Sequence, residues 1–240
     1  MNIAILGYGK MGKEIERIAL ERKHHLTLKV NSQNADKLSS AYLKDKKVDL
    51  AIEFSKPEFA LENIQLCLKS KIPIVIGTTG WYDHWDQVKS WCKEENGCLL
   101  SATNFSVGVN LFFELNRKLA ELMSPQDSYK ADIQETHHTE KLDSPSGTAI
   151  SLAEQIIEQH PSYKSWVNEK TDLTGELEII SHRKKNVKGI HQIIYQSDID
   201  RISIEHFAKN RKGFALGAVL AAEFILNKKG IFNMKDVLKL

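Results

Sequence analysis

Short apolar runs alternate with amphipathic stretches over the first hundred residues. Residues 1–6 are mostly apolar and stop at glycine, the pattern of a buried parallel strand. Residues 12–22 then carry Ile15, Ile18 and Ala19 at helical spacing. Further strands are expected at 26–30, 49–54, 72–76 and 98–102, with a helix at 60–69. Strands alternating with helices predict a doubly wound α/β sheet.

The pattern changes after about residue 105. Helices are expected at 110–123 and 147–159, and strands at 131–135, 177–182, 190–196 and 201–207. In the last of these, Ile202 and Ile204 share one face while Arg201, Ser203 and Glu205 share the other. Strands in sequence without intervening helices point to a second α+β domain with a mostly antiparallel sheet. Residues 215–226 are nearly all apolar; that length suits a buried helix and is too short to span a bilayer.

Composition narrows the function classes. Lysine plus arginine number 33 and aspartate plus glutamate 31, so a net charge of +2 gives no reason to expect nucleic acid or a membrane as partner. A 42% hydrophobic and 27% charged chain is an ordinary globular one. Three irregularly spaced cysteines make neither a disulfide framework nor a four-cysteine zinc site. With no signal-peptide pattern at the start, a cytoplasmic protein is expected.

Gly7-Tyr8-Gly9-Lys10-Met11-Gly12 is a G-x-G-x-x-G that follows a strand and opens a helix. In a Rossmann-type sheet the glycines allow a tight turn, backbone approach to a pyrophosphate and close helix–sheet packing. The second strand ends in Asn31-Ser32 with no acid, so nothing repels a 2′-phosphate. Either residue can hydrogen-bond NADPH or NADH, so NADPH or dual use is expected. Lys29 and Lys37 are candidate phosphate partners. Gly77-Thr78-Thr79-Gly80 and Ala102-Thr103-Asn104-Phe105 each follow a strand, where an open α/β sheet presents ligand contacts. Asn104 either holds a carboxamide or orders its loop; Phe105 either stacks on a nicotinamide or fills the core.

The densest polar stretch is E-T-H-H-T-E-K-L-D-S-P-S-G-T-A, residues 135–149. His137 and Lys141 lie four apart, one face of a helix or strand, and offer proton donors and a cationic wall. Pro145-Ser146-Gly147-Thr148 opens a helix, whose hydroxyls and free amides make an anion site. Lysine, histidines and a helix N-terminus together predict a small substrate with carboxylates. No zinc-binding spacing accompanies the histidines, so no metal is expected.

This stretch resembles the signature E-x-H-H-x-x-K-x-D-x-P-S-G-T-A of the 4-hydroxy-tetrahydrodipicolinate reductase (dihydrodipicolinate reductase) family. The similarity extends to G-Y-G-K-M-G, G-T-T-G, N-F-S-V-G-V-N at 104–110, the Arg183 to His191 segment and R-K-G-F-A-L-G-A at 211–218. Where the family often has an acid followed by arginine, this chain has Asn31-Ser32. The resemblance implies reduction of a small cyclic dicarboxylate by NADPH or NADH on the diaminopimelate–lysine route. It implies His137 as proton donor/acceptor, Lys141 as proton donor, and His138, Gly147 and Thr148, with Arg211, on substrate carboxylate. It places Gly77 to Thr79 and Ala102 to Phe105 along the nicotinamide, and implies a homotetramer built through the second-domain sheet. The dinucleotide domain is then expected at 1–104 with 212–240, and the substrate and oligomerisation domain at 105–211. The active site is expected between them, closed over the cofactor.

Overall fold

The computed structural model describes all 240 residues. The chain forms two compact units, Met1–Val107 with Arg211–Leu240, and Gly108–Asn210. In chain order the elements begin β1 (Asn2–Leu6), α1 (Lys10–Glu21), β2 (His25–Val30), α2 (Ser40–Asp45), β3 (Leu50–Glu53), α3 (Pro57–Lys69), β4 (Ile74–Ile76), α4 (Trp85–Glu94) and β5 (Cys98–Ser101). They continue α5 (Val107–Met123), β6 (Lys130–His137), α6 (Gly147–Gln159), β7 (Ser165–Val167), β8 (Glu176–Arg183), β9 (Ile190–Gln196) and β10 (Arg201–Phe207). The chain ends α7 (Lys212–Ile225), β11 (Gly230–Phe232) and α8 (Met234–Leu238).

The first unit is a six-stranded, all-parallel sheet in the order β11-β5-β4-β3-β1-β2. Its strands are apolar on both sides because both faces are covered. Ile3, Ile5, Leu50 and Ile52 meet α1 and α7 on one face. Ala4, Leu6, Leu28 and Ala51 meet α2, α3 and α4 on the other. Strand order reverses between β1 and β3, where such sheets bind ligands beyond their carboxyl ends. The loop after β1 is the glycine hexad.

The helix α7 crosses the segment after β5 at backbone contact. A Cβ on Gly217 would lie 1.6 Å from the carbonyl oxygen of Phe105. Backbone cannot yield as a flexible side chain does. Gly217→Ala is therefore expected to lower unfolding free energy by about 3 kcal/mol or more. Urea denaturation checks this; an unchanged midpoint would contradict it.

The second unit holds a five-stranded sheet in the order β10-β9-β6-β8-β7. It is mixed rather than mostly antiparallel. β6 pairs parallel with β8, and β8 with β7, whereas β6–β9 and β9–β10 are antiparallel. The cause is that β6 inserts between β8 and β9, which run oppositely but never pair. α6 provides the crossover that a parallel β6–β8 pair requires. One face carries Ala131, Ile133, Leu177, Ile179, Ile193 and Tyr195, packed against Phe112, Ala120 and Met123 of α5 and Leu152, Ala153 and Ile156 of α6.

Candidate active site

The glycine hexad lies in the first unit. Gly7 has a φ of +100°, and a Cβ there would meet the Phe54 carbonyl oxygen at 2.2 Å. No other residue fits that turn. Gly9 is the N-cap of α1, and its Cβ position opens on empty space with no atom within 4 Å. The backbone N–H of Lys13 returns to the Gly9 carbonyl, while those of Lys10, Met11 and Gly12 make no such bond. An open cradle facing free helix amides fits a dinucleotide pyrophosphate. Glu53, buried at the end of β3, ties down the neighbouring turn by accepting from the Ser55 N–H at 3.0 Å and from the Ser55 hydroxyl. Burial pushes its carboxyl above the usual range.

At the end of β2, Asn31 makes an Asx turn, its Oδ1 accepting from the Gln33 N–H at 2.8 Å, and Ser32 is exposed. Lys29 is not a free phosphate partner. Its ammonium pairs with Glu16, which also accepts from the Tyr8 hydroxyl, and lies 5.1 Å from the Tyr8 ring centroid. Thr79 and Thr103 are exposed and Thr78 is buried. Asn104 orders its loop by accepting from the Ser106 N–H at 2.9 Å. Of the two readings of Phe105, the structure shows the packing one for its ring. It is 2% exposed, tilted against Phe54 at 5.6 Å and part of the apolar core, so its ring is committed to packing.

The chemical end belongs to the second unit. On β6, alternate residues face the helices: Ala131, Ile133, Glu135, His137. Ile133 stands in register with Ile179, Ile193 and, through the last, Ile204. The next row up is polar throughout. Glu135 is paired with His191 on one side and Ser181 on the other, and His191 with His206. His137 then pairs with Arg183. The sheet thus changes from a hydrophobic to an ionisable surface within one residue pair.

Glu135 is fully buried. Its Oε1 accepts from the Ser146 N–H at 3.0 Å and the Ser181 hydroxyl at 2.7 Å. Its Oε2 lies 3.4 Å from Nδ1 of His137 and 3.5 Å from Nε2 of His191. Burial alone would raise this carboxyl. Hydrogen bonds from His191, Ser146 and Ser181 outweigh it and hold the pKa at about 2. Burial, then His191, Lys141 and Arg183, push His137 down to about 4 against the opposing pull of Glu135. His137 is therefore neutral at pH 7.

Lys141 does not share an element with His137. β6 ends at His137, and a turn closed by the Lys141 N–H on the His138 carbonyl brings the lysine round. The Lys141 ammonium donates to both Asp143 oxygens, at 2.7 and 2.6 Å. Arg183 clamps this turn by donating to the carbonyl oxygens of Lys141 at 3.3 Å and Asp143 at 2.7 Å. Ser146 is turned inward as the N-cap of α6, its Oγ accepting from the Ala149 N–H at 3.2 Å. Gly147 is exposed with open space at its Cβ position, and Thr148 follows it. His138 keeps a buried Nδ1 with no hydrogen-bond partner. Arg211 is exposed and stands in the other unit, as N-cap of α7.

Glu135, His137 and His191 have donor atoms within 4.8 Å of one another, a grouping that can hold a metal ion. The cationic Lys141 and Arg183, both close enough to act on His137, oppose a divalent charge there.

Residues 1–105 match the family described as dihydrodipicolinate reductase, N-terminus, and residues 108–238 match dihydrodipicolinate reductase, C-terminus. The chain belongs to the dihydrodipicolinate reductase family. It is 50% identical over 238 residues to the 4-hydroxy-tetrahydrodipicolinate reductase of Christiangramia forsetii, covering 99% of this chain and 98% of that one. The enzyme of the same name from Buchnera aphidicola subsp. Schizaphis graminum is 35% identical over 201 residues, 80% of this chain and 72% of its own. A dipicolinate-bound dihydrodipicolinate reductase from Paenisporosarcina sp. TG-14 shares the fold, with a TM-score of 0.77 at 24% identity and 98% of each chain covered. Family and Rossmann-type sheet together imply a nicotinamide cofactor. No helix of this reductase is long and apolar enough to cross a membrane.

The state of His137 makes the reductase acid-sensitive. Its pKa is depressed on folding, so the stabilisation is complete above the ordinary value of 6.5 and is lost as pH falls toward about 4. The full loss is about 3 kcal/mol. His160 and His206, also held low by burial, add to the slope. Urea midpoints should fall between pH 6.5 and 4, and His137→Gln should flatten that fall. An equal slope in the variant would contradict the assignment.

Proposed function

We propose that the two units of this reductase divide the reaction, the first holding the cofactor and the second orienting and protonating the substrate. The enzyme reduces 4-hydroxy-tetrahydrodipicolinate to tetrahydrodipicolinate with NAD(P)H, a step of diaminopimelate and lysine biosynthesis. The cofactor, when bound, supplies the hydride. The observation that carries the division of labour is the 137–148 loop, which sets an ammonium, a neutral imidazole and free helix amides side by side.

The helix amides of Lys10 to Gly12 take the pyrophosphate, and the backbone around Gly77 to Thr79 and Ala102 to Asn104 lines the nicotinamide. Free Gly147 and Thr148 amides receive a substrate carboxylate, and His138 and Arg211 assist. Each turnover delivers one hydride and one proton to the substrate, and its 4-hydroxyl departs as water. Lys141 delivers the proton. His137, with a pKa of about 4, is neutral at working pH and a poor acid, and serves to orient the ring and keep the lysine's surroundings polar. Asp143 holds the Lys141 head in place until substrate arrives.

Both NADPH and NADH are accepted, with NADPH somewhat favoured. No carboxylate at the end of β2 repels a 2′-phosphate, but Lys29 is held by Glu16 and leaves only exposed Ser32 and Lys37 to greet one. The enzyme works as a cytoplasmic homotetramer, assembled on the sheet face of the second unit that α5 and α6 do not cover. Its three cysteines are buried free thiols, and burial pushes Cys67 to about 12 and Cys98 to about 11, as suits a reducing compartment.

The test is absorbance at the reduced-nicotinamide band with freshly generated substrate and each cofactor in parallel. Substrate-dependent oxidation with both, faster per concentration with NADPH, is expected. No oxidation with either would overturn the reading, and a strong NADH preference would overturn the cofactor part.

A further inference from the structure

Glu135 stands at the centre of the second sheet, where the row below is isoleucine throughout. A buried carboxylate is costly unless its partners compensate, so its partners reveal what it is for. It does not hold the proton donor, since Lys141 is held by Asp143. Instead both hydrogen bonds to Oε1 fix backbone and strand, namely Ser146 N–H and Ser181.

Ser146 is held by four partners. Its N–H goes to Glu135, and its Oγ accepts from the Ala149 N–H and lies 3.1 Å from Nε2 of His191. Its carbonyl accepts from Ile150. Every polar group of Ser146 is thereby occupied within the protein, and the residue is 3% exposed. Ser146, expected among the substrate contacts, has its own polar groups engaged within the protein. The amides next in line, Gly147 and Thr148, have no such bonds, and Gly147 faces open space. A rotation of Ser146 would turn those two amides away.

We propose that Glu135 and His191 are positioning residues that lock Ser146 and so aim the Gly147 and Thr148 amides at a substrate carboxylate. The proposal rests on the reading of that loop as the carboxylate site. Because the role is geometric, an uncharged acceptor should serve nearly as well as the carboxylate. That separates it from a purely electrostatic role toward His137.

The experiment compares Glu135→Ala, Glu135→Gln and His191→Ala in the full-length enzyme with bound reduced cofactor. Pyridine-2,6-dicarboxylate is the binding probe, measured by calorimetry beside steady-state kinetics. Glu135→Ala should raise the KM for substrate and weaken the probe about 10- to 100-fold. Its kcat should change less than about 5-fold, with cofactor KM unchanged. Glu135→Gln should recover affinity to within about 5-fold of wild type, and His191→Ala should lose about 5- to 20-fold. Glu135→Ala that melts like wild type and binds the probe normally would overturn the proposal. So would a loss confined to kcat, or a Gln variant as weak as the Ala variant. If Glu135→Ala does not fold, unchanged probe binding by His191→Ala overturns it alone. Wild type that neither binds the probe nor turns over would instead defeat the proposed reaction. In that case the amide NMR signals of Gly147 and Thr148, expected to move in His191→Ala, still decide the geometry.

Discussion

Lys141→Met is expected to lower kcat by about 10²- to 10⁴-fold while leaving cofactor affinity and thermal stability close to wild type. The fold sets the charge states of the two groups. His137 is held near pKa 4 by burial and by three neighbouring cations or imidazoles, so at pH 7 it carries no proton to give away readily. Lys141 has its ammonium fixed by two bonds to Asp143, and Arg183 holds the turn that carries both. Removing the ammonium removes the cationic N–H donor of the loop. His137→Gln, which removes an orienting group, should cost kcat less than Lys141→Met. Steady-state kinetics, with fluorescence titration of the cofactor as control, checks both. A Lys141→Met enzyme within about 3-fold of wild type, or a larger loss in His137→Gln, would contradict the assignment.

Gly9→Asp should leave the fold intact and cut cofactor affinity by ~100-fold or more. The two effects have one cause. Gly9 is the N-cap of α1, has a negative φ of −95° and has nothing within 4 Å of its Cβ position. Aspartate is among the best N-cap residues, so its carboxylate would accept from the free amides of the first turn and hold or raise the melting temperature. Those amides are the ones proposed to take the pyrophosphate, and a fixed anion would repel it. Gly7→Ala is the contrasting case. It forces a side chain into φ +100° and against the Phe54 carbonyl, so stability falls before binding is reached. Thermal melts and cofactor titrations on both variants separate the roles. Normal affinity in Gly9→Asp would mean that the cofactor does not use this helix end.

What could be read from the sequence follows physical range. Strands β1 to β5 and helices α5 to α7 announce themselves because their burial is set by local periodicity. β7 and β11 are three residues each and, unlike the equally short β4 within the apolar run 72–76, lie in mixed sequence; α2 and α4 are short or weakly apolar. The glycine hexad and the 135–149 stretch were legible because backbone and substrate constraints act over consecutive residues. The row His206, His191, Glu135, Ser181 was not, since register between strands far apart in sequence is a tertiary fact. Its only trace was the alternation Glu135-x-His137, which puts an acid and a base on one face of a strand. The placement of β6 between β8 and β9 explains why antiparallel neighbours were expected and a mixed sheet found. Phe105 and Ser146 show the limit of motif reading. Both sit in motif segments expected to face a ligand, yet the ring of one is core and the other is a fully bonded cap.

Isotope transfer tests the central claim most directly. The enzyme would be run with NADPH carrying two deuteriums at nicotinamide C4 and with freshly generated 4-hydroxy-tetrahydrodipicolinate, and the product weighed by mass spectrometry. Hydride transfer to the ring predicts tetrahydrodipicolinate heavier by one deuterium, formed in step with cofactor oxidation. Oxidised cofactor without labelled product, or product without label, would contradict it.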